Sequence, residues 1–219
     1  HRTFYVLCFS LKIIYYKLKP WHYQNLFFQE VPKVFSFDLD KIYKEDILIK
    51  AKKFYEGIGL DVSDILKKSD LYERPGKYQH AYCMDMDKEG DIRTVMNIKN
   101  NEKWMDTTLH ELGHGVYFEY INKDLPFLLR DPAHIFTTEA IAMLFGRNSK
   151  NPNFIKEFCN IKEKEVDKLI NDLKKSLRLD KLVFSRWSQV MFNFEKNLYD
   201  NPSQDLNKLW WSLVKKYQL

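Results

Sequence analysis

Apolar residues recur at helical spacing along most of the chain, which predicts a mainly α protein. Leu39, Ile42, Tyr43, Ile47, Ala51, Phe54, Tyr55 and Ile58 share one face, with Gly57 and Gly59 as a stop, so one helix is expected from Asp38 to Leu60. Leu71 to Gly76 reads as a turn or loop. The period then changes: His80 to Asp85 and Asp91 to Asn97 read as two short strands joined across Lys88-Glu89-Gly90, a hairpin. Asn100 or Asn101 is placed to cap a helix that runs to about Ile121 and ends at Asn122. Asp131-Pro132 predicts the start of the next helix, with Asp as cap and Pro at the first position, running through Glu139 to Gly146. Asn151 to Leu219 predicts three further helices, broken near Leu179-Asp180 and from Tyr199 to Pro202. The chain contains no internal repeat.

The first of these helices after the hairpin contains His110-Glu111-Leu112-Gly113-His114, an H-E-x-x-H motif. Positions i and i+4 lie on one helix face, so both imidazoles can reach one metal ion. A catalytic zinc takes three protein ligands, such as two His and one Glu, and keeps water in the fourth position. Glu139, inside Thr137-Thr138-Glu139-Ala140-Ile141-Ala142, supplies the third ligand on the following helix. Its neighbours Ile135, Phe136, Ala142 and Met143 predict burial, and a buried carboxylate needs a partner. Glu111 is then the base beside the metal-bound water. Gly113 and Gly115 are poor helix formers, best tolerated where another backbone packs close. His80, before Ala81-Tyr82-Cys83, is either a surface histidine at a strand start or a donor to a peptide carbonyl in a cleft.

A length of 219 residues suits one domain with a sizeable core or two small lobes, and 45% hydrophobic with 16% aromatic residues is the composition of a folding chain. The net charge of +5 is spread over stretches such as Lys162-Glu163-Lys164-Glu165, an ordinary solvated surface, and no nucleic-acid motif accompanies it. Cys8, Cys83 and Cys159 are odd in number and lack C-x-x-C spacing, which implies neither a disulfide framework nor a cysteine zinc site and suggests a reducing, cytoplasmic setting. Phe4 to Tyr16 is apolar but interrupted by Ser10 and Lys12, too short to span a bilayer and without a signal-peptide cleavage site. Residues 1–20 are therefore expected to form an apolar helix, buried in the first reading and membrane-touching in the alternative. Elsewhere no 18-residue apolar span exists, which argues against an intramembrane protease.

With these residues in place, the chain resembles the gluzincin peptidases, and among them the angiotensin-converting-enzyme family, over about Trp21 to Tyr217. Beyond the zinc motif, the resemblance rests on Lys123-Asp124-Leu125-Pro126, Arg130, Glu139-Ala140-Ile141, Asp91-Ile92-Arg93, His80-Ala81 and Trp210-Trp211-Ser212-Leu213 with Lys216-Tyr217-Gln218. It implies a helical zincin-type core with a small antiparallel hairpin beside the active-site helix, and one partial catalytic domain over residues 1–219. It further implies Zn2+ on His110, His114 and Glu139, Glu111 as general base, and contacts from His80 and Ala81 to a short peptide substrate. Two departures stand out. Four residues after the third ligand the family has an Asp that supports a zinc-binding His, and here that residue is Met143. The family's oxyanion-stabilising Tyr and its helper His lie beyond the Trp-Trp segment, so the resemblance implies the central piece of a larger peptidase. A non-catalytic zinc-binding fragment, or half of a split enzyme that needs a C-terminal segment or partner chain, is the competing expectation.

Overall fold

The computed structural model describes residues 38–159 and 161–219. The expected helix over residues 1–20 lies outside the described residues. The chain divides into two units, one formed by Asp38–Ile170 and the other including Asn171–Leu219.

In the first unit, a 3-10 turn at Leu39–Lys41 precedes helix α1, Ile47–Gly57. The single helix expected from Asp38 is therefore split. The cause is local: Asp38 and Asp46 each turn a carboxylate onto a nearby backbone N–H, Asp40 and Leu48 respectively, and each such cap begins a new element. The stop at the glycines is borne out. The N–H of Gly59 reaches Glu56 O at 3.0 Å and that of Leu60 reaches Tyr55 O at 2.9 Å, a Schellman motif that needs the positive φ of +81° at Gly59. A short helix α2, Ser63–Lys68, follows.

Strands β1, Tyr82–Asp85, and β2, Ile92–Val95, pair antiparallel, with Tyr82 opposite Val95 and Asp85 opposite Ile92, as the change of period predicts. The loop before them is fastened by Lys77, whose side chain is 3% exposed. Its ammonium donates to Asp70 O at 2.9 Å, Asp70 Oδ1 at 2.9 Å, Tyr72 O at 2.8 Å and Met96 O. Lys77→Met keeps the stem but strands these acceptors, and unpaired buried carbonyls cost about 1–3 kcal/mol each. Urea unfolding is expected to show a loss of about 2 kcal/mol or more; a loss below about 0.5 kcal/mol would mean that water replaces the ammonium.

Helix α3, Glu102–Glu119, is capped by Asn101, whose side chain accepts from Trp104 N at 2.9 Å. It is the centre of the unit. Met105, Leu109 and Leu112 are fully buried on it, together with Tyr43, Ile47, Tyr55 and Met96 from the surrounding elements. Two buried tyrosines tie the layers together: Tyr55 donates to Leu109 O and Tyr43 to Ser149 O, each at 2.5 Å. Helix α4, Ile135–Gly146, packs along α3, and α5, Pro152–Phe158, follows a 3-10 turn. Asp131-Pro132 does not start α4. His134 is the cap, its Nδ1 accepting from Phe136 N at 3.1 Å, while Asp131 is engaged by Lys88.

Helix α6 runs unbroken from Glu163 to Asp200, and α7 from Leu206 to Tyr217. The expected break at Leu179-Asp180 is absent. Leu173, Leu179, Val183 and Val190 are all buried, so the apolar period continues through that point. One interior Asp costs only about 0.7 kcal/mol of helix propensity, too little to stop such a helix. The break falls instead between α5 and α6, and the one near Pro202 is borne out. In the second unit, Val190, Leu213 and Val214 form a small core with Phe194, Leu209, Trp210 and Tyr217 against it. Among the described residues, no helix is long and apolar enough to cross a membrane.

Candidate metal centre

The H-E-x-x-H residues lie mid-helix on α3, as the motif requires. His110 and His114 point the same way, with their Nε2 atoms 3.1 Å apart. Glu139 reaches them from α4: its Oε2 lies 3.5 Å from His110 Nε2 and its Oε1 3.5 Å from His114 Nε2. The two helices can approach this closely because of Gly113, where a Cβ would stand only 2.9 Å from Ala142 Cα.

These separations test the fit of a zinc ion. Four ligands at 2.0–2.1 Å in a tetrahedron stand about 3.3 Å from one another. The imidazoles stand 3.1 Å apart and each lies 3.5 Å from a different oxygen of the Glu139 carboxylate, and one donor atom from each residue lies within 4.8 Å of the others, near enough for one ion to gather all three. Two neutral imidazoles and a carboxylate are also the donor set of a catalytic rather than a structural zinc. The residues fit the metal.

Glu111 is 6% exposed and lines the same cavity as the three donors. Burial, then the Glu139 carboxylate, pushes its carboxyl up to about 7. Burial also lowers His114, against the opposing pull of Glu139, which keeps the imidazole neutral and able to bind metal. Glu139 itself is only half-buried, with its side chain 44% exposed, because Ile135 and Phe136 stay at the surface instead of enclosing it. His114 has a further partner: its Nδ1 lies 2.7 Å from Thr138 Oγ1, and both residues are buried. No sequence motif points to Thr138.

The centre opens into a cavity of about 510 Å3. Ala81, Tyr82 and Cys83 form one wall, and Phe118, Pro132 and Ile135 another. Ala81 therefore reaches the cavity. His80 does not line it; its exposed ring lies 5.3 Å from that of Tyr78. Burial, then the Glu111 and Asp85 carboxylates, drives the Cys83 thiol far up, so it stays protonated in the metal-free chain. A larger cavity of about 970 Å3 is lined mainly by apolar residues such as Val116, Leu125, Leu128 and Leu144, and holds none of the three ligands.

The two walls are joined beyond the metal centre. Lys88, at φ +60°, pairs with Asp131 and lies 5.0 Å over the Phe127 ring, and Glu89 pairs with Arg130. The hairpin turn is thus fastened to the segment that leads into α4.

Residues 29–218 match the family model described as angiotensin-converting enzyme. The chain belongs to the angiotensin-converting enzyme family. That family is zinc-dependent, in agreement with the His110, His114 and Glu139 cluster. The chain is 29% identical over 188 residues to angiotensin-converting enzyme of Mesocricetus auratus, which covers 81% of this chain and 14% of that protein. It is 27% identical over 178 residues to the enzyme of Sus scrofa, covering 77% of this chain and 13% of that one. It is also 28% identical over 148 residues to an inactive angiotensin-converting enzyme-related protein of Caenorhabditis elegans, covering 63% of this chain and 16% of that protein. The chain therefore spans about one seventh of the length of the first of these relatives. Met143, where the family pattern has a carboxylate, is half-buried on α4.

Proposed function

We propose that this chain is a zinc-dependent peptidase acting on short peptides, with Glu111 as general base. The observation that carries it is the triangle of His110, His114 and Glu139 donor atoms, with a buried, proton-hungry Glu111 in the same cavity. Zinc held there would supply Lewis-acid polarisation of the scissile carbonyl and a water acidified toward neutrality.

The chain's own residues do the rest. Glu111 accepts the proton from the attacking water and delivers it to the leaving amine, a role that suits a carboxyl lining the same cavity as the three donors. Within its sheet β1 pairs only with β2, so its other edge carries no strand partner among the described residues. An extended peptide can lie along that edge, past Ala81 and Cys83, by backbone hydrogen bonds that read no particular sequence. Phe118, Pro132 and Ile135 then offer an apolar seat for a side chain opposite.

The likeness to an inactive relative favours a second reading, a zinc-binding protein without turnover. A pool of short peptides incubated with the zinc-loaded chain and read by mass spectrometry separates the two. Cleavage that stops on chelation and returns with zinc supports the peptidase. Stoichiometric zinc without cleavage supports the second reading.

A further inference from the structure

We propose that Thr138 is a positioning residue for His114: its hydroxyl oxygen accepts the imidazole Nδ1–H and so presents Nε2 to the metal. The inference rests on the zinc reading above and adds to it the group that aims one ligand. His114 Nε2 is the atom that faces His110 and Glu139, at 3.1 and 3.5 Å. A ring that gives the Nε2 lone pair to a metal carries its proton on Nδ1, and that proton points at Thr138 Oγ1, 2.7 Å away.

The contact also selects the ring orientation. A half-turn about Cβ–Cγ would put a carbon where Nδ1 stands and another where Nε2 stands, losing the hydrogen bond and the metal together. His114 is 9% exposed and Thr138 4%, so no bulk water competes for the contact. Thr138 immediately precedes Glu139, so one turn of α4 supplies both a ligand and the support of another ligand on α3. Partners of this kind are worth roughly ten- to a hundredfold in metal affinity. The support is a neutral hydroxyl. A neutral acceptor draws less on the imidazole proton than a carboxylate does, which leaves the ligand less basic.

The test uses the full chain, with zinc affinity read by competition against a chromophoric chelator and the His114 tautomer read by 15N NMR of the metal-free protein. Thr138→Val keeps volume and branching but removes the acceptor. It is expected to weaken zinc about ten- to a hundredfold and to lose the Nδ1–H tautomer preference, while Thr138→Ser restores both. Thr138→Ala gives the same loss where the Val methyl is a poor fit, and urea midpoints show that the variants are folded. Zinc affinity within about twofold of the parent in folded Thr138→Val and Thr138→Ala would overturn the role of Thr138 and leave the zinc reading standing. A parent chain that takes no zinc would overturn both.

Discussion

Glu111→Gln is expected to abolish peptide hydrolysis while leaving zinc binding within a few-fold of the parent. The side chain is not one of the three donors, so its amide leaves the His110, His114 and Glu139 triangle intact. It cannot accept the water's proton, and general base catalysis supplies roughly a hundred- to ten-thousandfold in rate. Hydrolysis retained in the variant would refute the assigned base.

The same substitution should stabilise the metal-free protein, with a definite sign in pH. The Glu111 carboxyl sits at about 7 in the folded chain against an ordinary 4.5. Below 4.5 both folded and unfolded forms hold the proton and the residue makes no difference. Between 4.5 and 7 only the folded form holds it, so stability falls as pH rises, by about 1.4 kcal/mol per unit. Above 7 the whole penalty, about 3 kcal/mol, is in place. Glutamine never ionises and escapes it. Urea unfolding of chelated parent and variant at acid, intermediate and alkaline pH should therefore show curves that meet in acid and separate in alkali. A separation that does not change with pH would mean that Glu111 ionises at its ordinary value.

Gly113→Ala is expected to damage both stability and metal binding. Its Cβ would stand 2.9 Å from Ala142 Cα, 3.1 Å from a Phe145 ring carbon and 3.4 Å from the Tyr55 hydroxyl. The nearest of these is backbone and cannot swing aside, so α4 must move away from α3 and take Glu139 with it. Overpacking of this kind costs about 1–3 kcal/mol, and here it is offset by about 1 kcal/mol of helix propensity gained from Ala. Zinc affinity should fall along with stability, because one donor of three is displaced. Gly115→Ala is the control. Its Cβ meets the mobile tip of Ile65 at 3.0 Å and Cys83 Sγ at 3.6 Å, neither of them backbone. It should be near neutral in both chelator competition and unfolding. If the two variants behave alike, the close approach of the helices is not what Gly113 provides.

How far the sequence reached depended on the range of the interaction. The Asn101 cap, the stop at Gly59, the hairpin and the pairing of His110 with His114 on one face of α3 are written within a few residues of chain, and local rules find them. Glu139 was legible from its place on the next helix, after a connection long enough to fold back on the first, although the burial expected of it is only partial. The start of α4 was not, because Asp131 obeys a contact with Lys88, 43 residues earlier, and not the capping rule it satisfies locally. Thr138 was invisible for the same reason: its partner is 24 residues away and a buried Thr carries no periodic signal. The break assigned to Leu179-Asp180 weighed a single polar residue above an apolar period that the helix keeps.

The two ion pairs that fasten the hairpin turn run in opposite senses: cation to anion from Lys88 to Asp131, anion to cation from Glu89 to Arg130. Sliding the turn by one residue along that segment would set Lys88 against Arg130 or Glu89 against Asp131, like charge facing like. Such misfits repel where the correct pairing attracts. The crossed pairs therefore work as a key that admits one alignment of the turn, and the strand edge leading to Ala81 inherits its alignment from them.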